Sequence, residues 1–250
     1  VTAGLFLLHF FGQNKTDNLP YHSSQINFQE VFIMYPSIEQ VKDLLKDYKT
    51  VPVFYELLVD SFTPVQLFNC LHESYENCFI LESVDSKDQW GRYSYIGINP
   101  KVRYTLKDHT AVIKEQGKEP VSISTDDPIS FFSDIIEQHK APKFNGRPKL
   151  TGGLIGYFAY DMVRYFEKTL AEPPADDLNM PDADMHLFDE LVAYDHLSNK
   201  AVIILNINAS DNLEEKYASC ERRKDEIIGV LHSFQPKPVS ISSDNVNINI

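Results

Sequence analysis

At 250 residues, with 43% hydrophobic and 24% charged side chains, the chain can form one large or two small domains around a sizeable core. Its formal net charge of −13 argues against a nucleic-acid partner, because phosphate binding relies on clustered Lys and Arg and no dense basic run is present. Cys70, Cys78 and Cys220 fit neither a zinc spacing nor an even disulfide framework, and no apolar run approaches the ~18 residues of a membrane span. These features point to a reducing, cytoplasmic setting, with no membrane partner.

Residues 1–33 differ in character from the remainder of the chain. Residues 5–11 are short and strongly apolar without the basic start of a secretory signal, and 12–30 are polar and irregular. The segment is expected to be a non-native or disordered extension ahead of a domain over 34–234. Ser37 followed by Gln40 is a capping-box start, and Ile38, Val41, Leu44, Leu45 and Tyr48 continue at helical spacing. Residues 51–56 read as a strand, with Pro52 favouring a sheet edge or a strand start. Thr63-Pro64-Val65-Gln66 starts a second helix running to about Tyr75, with Val65, Phe68, Leu71 and Tyr75 facing a core.

Phe79-Ile80-Leu81-Glu82-Ser83-Val84 reads as a buried strand. Neighbouring strand residues point to opposite faces, so in a core either Glu82 or Ser83 needs a partner to offset its desolvation. That partner is an internal group such as Arg92, or a bound polar ligand. Trp90-Gly91-Arg92-Tyr93-Ser94-Tyr95-Ile96-Gly97 leads into the next strand, and 102–106 with 111–114 form a hairpin. Asp127-Pro128 opens a helix carrying Ile129, Phe132, Ile135 and Ile136. After a loop over 140–151 comes Gly152-Gly153-Leu154-Ile155-Gly156-Tyr157, whose glycines predict close backbone approach or strong curvature and lack either phosphate-loop spacing. Asp161 and Arg164 are spaced as an i, i+3 ion pair. Residues 185–194 and 201–208 read as two long strands, the second apolar throughout and so central. A surface helix over 213–234 buries one stripe, and 235–250 has linker composition. The order of elements predicts an α+β fold with mainly antiparallel sheet flanked by helices.

Leu81-Glu82-Ser83, the Trp90–Gly97 stretch, the Gly-Gly-x-x-Gly-Tyr run and the Asp189-Glu190-Leu191 strand leading to Tyr194-Asp195-His196 resemble the N-terminal domain of anthranilate synthase component I over roughly residues 34–232. The resemblance implies that the chain supplies one sheet with its helices, one half of a layered α/β/β/α sandwich. It also implies that the chorismate-binding catalytic half, with the carboxylates that hold Mg²⁺, is missing. No cofactor and no catalytic residue is then expected in this chain. The implied function is regulatory: Leu81, Glu82 and Ser83 would form part of an L-tryptophan feedback site, Glu82 meeting the ammonium group and Ser83 the polar end. Arg92 is either a basic pocket residue or a salt-bridge partner of Glu82. The implied partners are L-tryptophan, the catalytic half and a glutamine amidotransferase subunit, component II. The same fold leaves para-aminobenzoate synthase component I, or a non-enzymatic amino-acid-binding module, as alternatives.

Overall fold

The computed structural model describes residues 4–9, 34–59, 62–82, 91–170, 176, 178–209 and 212–233. In chain order the elements are β1 (Gly4–His9), α1 (Ile38–Leu44), β2 (Thr50–Leu58), α2 (Pro64–Ser74), β3 (Phe79–Leu81), β4 (Tyr93–Ile98), β5 (Val102–Lys107), β6 (Thr110–Glu115), β7 (Val121–Ser124), α3 (Pro128–Gln138), β8 (Gly153–Phe158), β9 (Ala183–Phe188), β10 (Glu190–Asp195), β11 (Lys200–Asn208) and α4 (Leu213–Ser233). Two short 3₁₀ segments, Tyr160–Tyr165 and Lys168–Leu170, come after β8. All strand pairs are antiparallel, so the predicted α+β class holds.

The strands form two sheets: six strands in the order β1-β8-β9-β5-β6-β7, and five in the order β2-β11-β10-β4-β3. A single sheet was the expectation. The difference lies at residue 189. Residues 185–194 form two strands, β9 and β10, with Asp189 alone between them, and the chain passes there from one sheet to the other. Two further strands enlarge the first sheet. β7 is exposed along its length and carries no buried stripe for a sequence reading to find. β1, within the segment read as an extension, pairs with β8 in the register Gly4↔Phe158 to His9↔Gly153. The rest of that segment, and the linker over 235–250, lie outside the described residues.

Local chemistry sets the elements that frame the site. Ser37 and Thr63 each close a full capping box, with Gln40 and Gln66 returning the bond to the cap N–H at 2.9 Å. Asp127 accepts from Ser130 N at 3.0 Å, with Pro128 in the first turn. The β5–β6 turn places Asp108 and His109 at φ 46° and 61°, the left-handed pair that a two-residue hairpin demands. Pro52 lies on β2, an edge strand, and β11 is flanked on both sides, both as predicted.

The five-stranded sheet buries Val53, Tyr55, Ile96, Ile98, Ile203 and Leu205 against α1, α2 and α4. In α2 the fully buried stripe is Leu67, Cys70 and Leu71, whereas Val65 is 50% exposed. Ile129 of α3 likewise faces solvent while Phe132 and Ile135 are buried against the six-stranded sheet. Both misplaced residues sit in a first turn, where the helix has only begun to cross its sheet. On the opposite face of the five-stranded sheet, Phe54, Leu191, Ala193, Val202 and Ile204 pack with Leu150, Tyr35 and Phe144.

Gly156 justifies its place in β8: a Cβ there would stand 1.9 Å from the Asp184 carbonyl oxygen. Gly97 of β4 is covered by the Phe79 ring in the same way, and that ring meets Phe188 edge-on at 4.8 Å. The Asp161–Arg164 pair forms as expected, at 2.9 Å.

Candidate functional site

β3 is three residues long and lies at the edge of its sheet, paired Phe79↔Gly97 to Leu81↔Tyr95. This changes the reading of the Leu-Glu-Ser run. Leu81 is half-buried against the Phe54–Leu191 cluster, whereas Glu82 is exposed. An exposed carboxylate needs no internal partner, so the burial argument for Glu82 falls away. Ser83 lies outside the described residues.

Glu82 reaches the start of β4. Ser94, 1% exposed, places its Oγ 2.8 Å from His196 Nε2 and a long 3.5 Å from Glu82 Oε1. A hydroxyl has one proton to give, so this arrangement is satisfied with His196 Nε2–H donating to Ser94 and Ser94 donating to Glu82. Tyr93 and Ser94 pair across the strands with Asp195 and Tyr194. The β10–β11 turn comes directly after, which brings His196 beside them; its N–H donates to the Arg92 carbonyl at 3.0 Å.

Arg92 does not pair with Glu82. Its Nε and Nη2 donate to Asp195 Oδ1 and Oδ2 at 3.0 and 2.6 Å, a bidentate geometry suited to a guanidinium and a carboxylate. Asp195 also accepts from Leu197 N at 3.0 Å and Ser198 Oγ at 2.9 Å. Burial pushes the Asp195 carboxyl up, but the Arg92 guanidinium and these two donors outweigh it and hold the group below its ordinary value. The hydrogen bond to Asp195 in turn raises Arg92. The guanidinium also lies 5.0 Å from the Tyr93 ring centroid.

Next to this pair is a cavity of about 420 Å³ lined in part by Glu56, Arg92, Tyr93, Arg147, Asp195 and Lys200. Arg147 bonds Glu56 and lies 5.2 Å from the Tyr35 ring centroid, and Lys200 donates to Glu56 at 3.1 Å. Burial raises Glu56, and the two cations more than reverse it. The cleft thus gathers three cations and two carboxylates beside aromatic rings, chemistry suited to a ligand with both an anionic and an apolar part. Among the described residues no group of three or more His, Cys, Asp or Glu is placed to hold a metal ion, and no helix is long and apolar enough to cross a membrane.

Of the four residues singled out in the sequence, the structure places Glu82 against Ser94 and Arg92 against Asp195, two groups linked by the backbone bond from His196 to Arg92, with Leu81 in the apolar cluster of Phe54 and Leu191. Sequence reasoning missed Ser94, Asp195 and His196 as members. Their signal was the Tyr194-Asp195-His196 tripeptide, which in the sequence reads only as a strand marker.

Fold and site together define an α+β protein with two antiparallel sheets and a charged cleft, lined also by Tyr93, at the end of one of them. The sequence model for chorismate binding enzymes matches residues 76–247, and the chain belongs to that family. Anthranilate synthase component 1 of Acetivibrio thermocellus is 35% identical over 191 residues, covering 76% of this chain and 38% of that protein. The same component of Pseudomonas aeruginosa is 34% identical over 182 residues, covering 72% and 36%. A crystal structure of anthranilate synthase component I from Streptococcus pneumoniae is similar with a TM-score of 0.46 at 22% identity, covering 73% of this chain and 37% of that one. The chain spans well under half the length of these relatives. The family match runs through β3 to α4, so the chorismate-binding family's sequence pattern is present in this chain and not only in a half outside it.

Proposed function

We propose that this chain is the regulatory and structural N-terminal part of an anthranilate synthase component I, the enzyme that converts chorismate, with ammonia or glutamine, to anthranilate and pyruvate at the first committed step of tryptophan biosynthesis. The observation that carries the reading is the Glu82–Ser94–His196 cluster, polar groups gathered beside the Leu-Glu-Ser segment. L-Tryptophan is the proposed ligand. Its ammonium group meets Glu82, which has no cation within ion-pair distance among the described residues, and its polar end meets the Ser83 hydroxyl. Arg92, already bound by Asp195 at both ends of its fork, holds the β4–β10 edge in place and is a positioning residue. The Acetivibrio and Pseudomonas relatives carry anthranilate synthase names, which favours this branch over para-aminobenzoate synthesis.

In this reading chorismate turnover and the Mg²⁺ that supports it need the length of the relatives that this chain does not cover, and a glutamine amidotransferase subunit supplies ammonia to that assembly. Cys70, Cys78 and Cys220 are free thiols, in keeping with the cytoplasmic setting the reading implies. Anthranilate fluorescence tests it. The chain incubated with chorismate, ammonium and Mg²⁺ is expected to release no anthranilate above a protein-free control, and turnover by the chain alone would overturn the assignment.

A further inference from the structure

The charged cleft beside Arg92 lies across the five-stranded sheet from the Glu82 cluster. Tyr93 stands opposite Asp195, and Asp195 opposite Lys200; residues directly opposite share a face. Two residues along β11 on that face comes Val202, opposite Glu56 of β2. This is the face on which Ala193, Val202 and Ile204 pack with Leu150 and Phe144, and residues 145–148 of the following loop wall the cleft there. Strand alternation turns Ser94, with its Glu82 and His196 contacts, to the other face, where Ile96 and Ile98 meet the helices. Cleft and cluster are two places, and neither reading rests on the other.

The hydrogen-bonding capacity of the cleft is one-sided. Both Asp195 oxygens are taken by Arg92, Leu197 and Ser198, and both Glu56 oxygens by Arg147 and Lys200. Donors remain. Arg92 Nη1 and the Tyr93 hydroxyl have no acceptor among the described residues, and Lys200 gives Glu56 only one of its ammonium hydrogens. Burial raises the Tyr93 hydroxyl, which keeps it a donor at neutral pH. The Arg92 and Lys200 side chains line the cleft and are each 38% exposed, so their free hydrogens are within reach of a bound molecule. Three cations against two carboxylates leave one positive charge in excess.

We propose that the cleft binds an aryl monocarboxylate, its carboxylate accepting from Arg92 Nη1 and the Tyr93 hydroxyl, with Lys200 as the second cation across Asp195 and the ring facing Val202 and Pro148. One negative charge balances the excess, and a guanidinium edge beside a phenol suits the two oxygens of a carboxylate. The size fits as well. A cavity of ~150 Å³ holds one benzene, so about 420 Å³ admits a ring, its carboxylate and further substituents.

Calorimetric titration of sodium benzoate into the purified chain tests it, with acetate and benzyl alcohol as the two half-ligands. Saturable binding of benzoate is expected, tighter than either half-ligand. Tyr93→Phe keeps the ring beside Arg92 and removes only the hydroxyl, and should weaken benzoate about fivefold. Lys200→Gln leaves Glu56 its bond to Arg147, and should weaken benzoate about threefold with benzyl alcohol unchanged. Circular dichroism checks that both variants fold; should one misfold, the other carries the test. Heats of dilution only with folded wild type would overturn the proposal. So would acetate binding as tightly as benzoate, the mark of a simple anion site. Benzoate affinity unchanged in either folded variant would place the ligand elsewhere and overturn it too.

Discussion

At the scale of single residues, the Arg92–Asp195 fork makes the sharpest prediction. Asp195 titrates below its ordinary value in the fold. Its stabilisation is therefore present above the ordinary carboxylate pKa and lost as pH falls through the depressed folded value. Arg92→Ala removes the opposing cation and leaves burial opposed only by the Leu197 and Ser198 donors, so the Asp195 carboxyl should titrate higher in the variant by carbon-detected NMR. Because the Arg92 side chain is 38% exposed, the loss of stability near neutral pH should be only about 1 kcal/mol, and it should shrink toward zero in acid. A stability difference that stayed constant down to acid pH would contradict this. The two tight glycines differ in kind. At Gly156 a methyl group meets backbone, which has nowhere to go, and Gly156→Ala should cost about 3 kcal/mol in denaturant melts. At Gly97 it meets the Phe79 ring, a side chain that can swing, and Gly97→Ala should cost about 1–2 kcal/mol.

At the scale of elements, what was legible in the sequence was what local chemistry decides. The capping boxes at Ser37 and Thr63, the Asp127-Pro128 start and the α4 stripe all appear where residue spacing put them. Thr63→Ala should therefore cost about 1 kcal/mol, and Ile227→Ala, at a fully buried position on α4, about 2–5 kcal/mol, both read from unfolding midpoints. What was not legible depended on tertiary context. The run over 79–84 reads as a buried strand, but Phe79–Leu81 form a short edge strand, and Glu82 just after it is solvated. Residues 185–194 read as one strand, and nothing in that reading marks Asp189 as the point where the chain changes sheets. Asp189 would have looked like any polar residue in a strand; its burial beside Lys101 is visible only once both sheets are assembled. The site divides in the same way. Glu82 and Arg92 were found from sequence, whereas their actual partners, Ser94 and Asp195, come from the register of β4 on β10.

At the scale of the whole molecule, the chain passes between two antiparallel sheets at one buried residue, and each sheet carries helices on one face. That frame puts a ligand-sized cavity at the Asp195 end of β10. Membership of the chorismate-binding family is carried by the match over residues 76–247, and regulation by tryptophan is the step proposed beyond it. The measurement that bears on that step most directly is calorimetric titration of L-tryptophan into the chain, with Ser83→Ala and Glu82→Gln beside it. Weak but saturable binding that both variants abolish is the predicted result. Heats of dilution only with wild type, or binding that both variants leave intact, would contradict it.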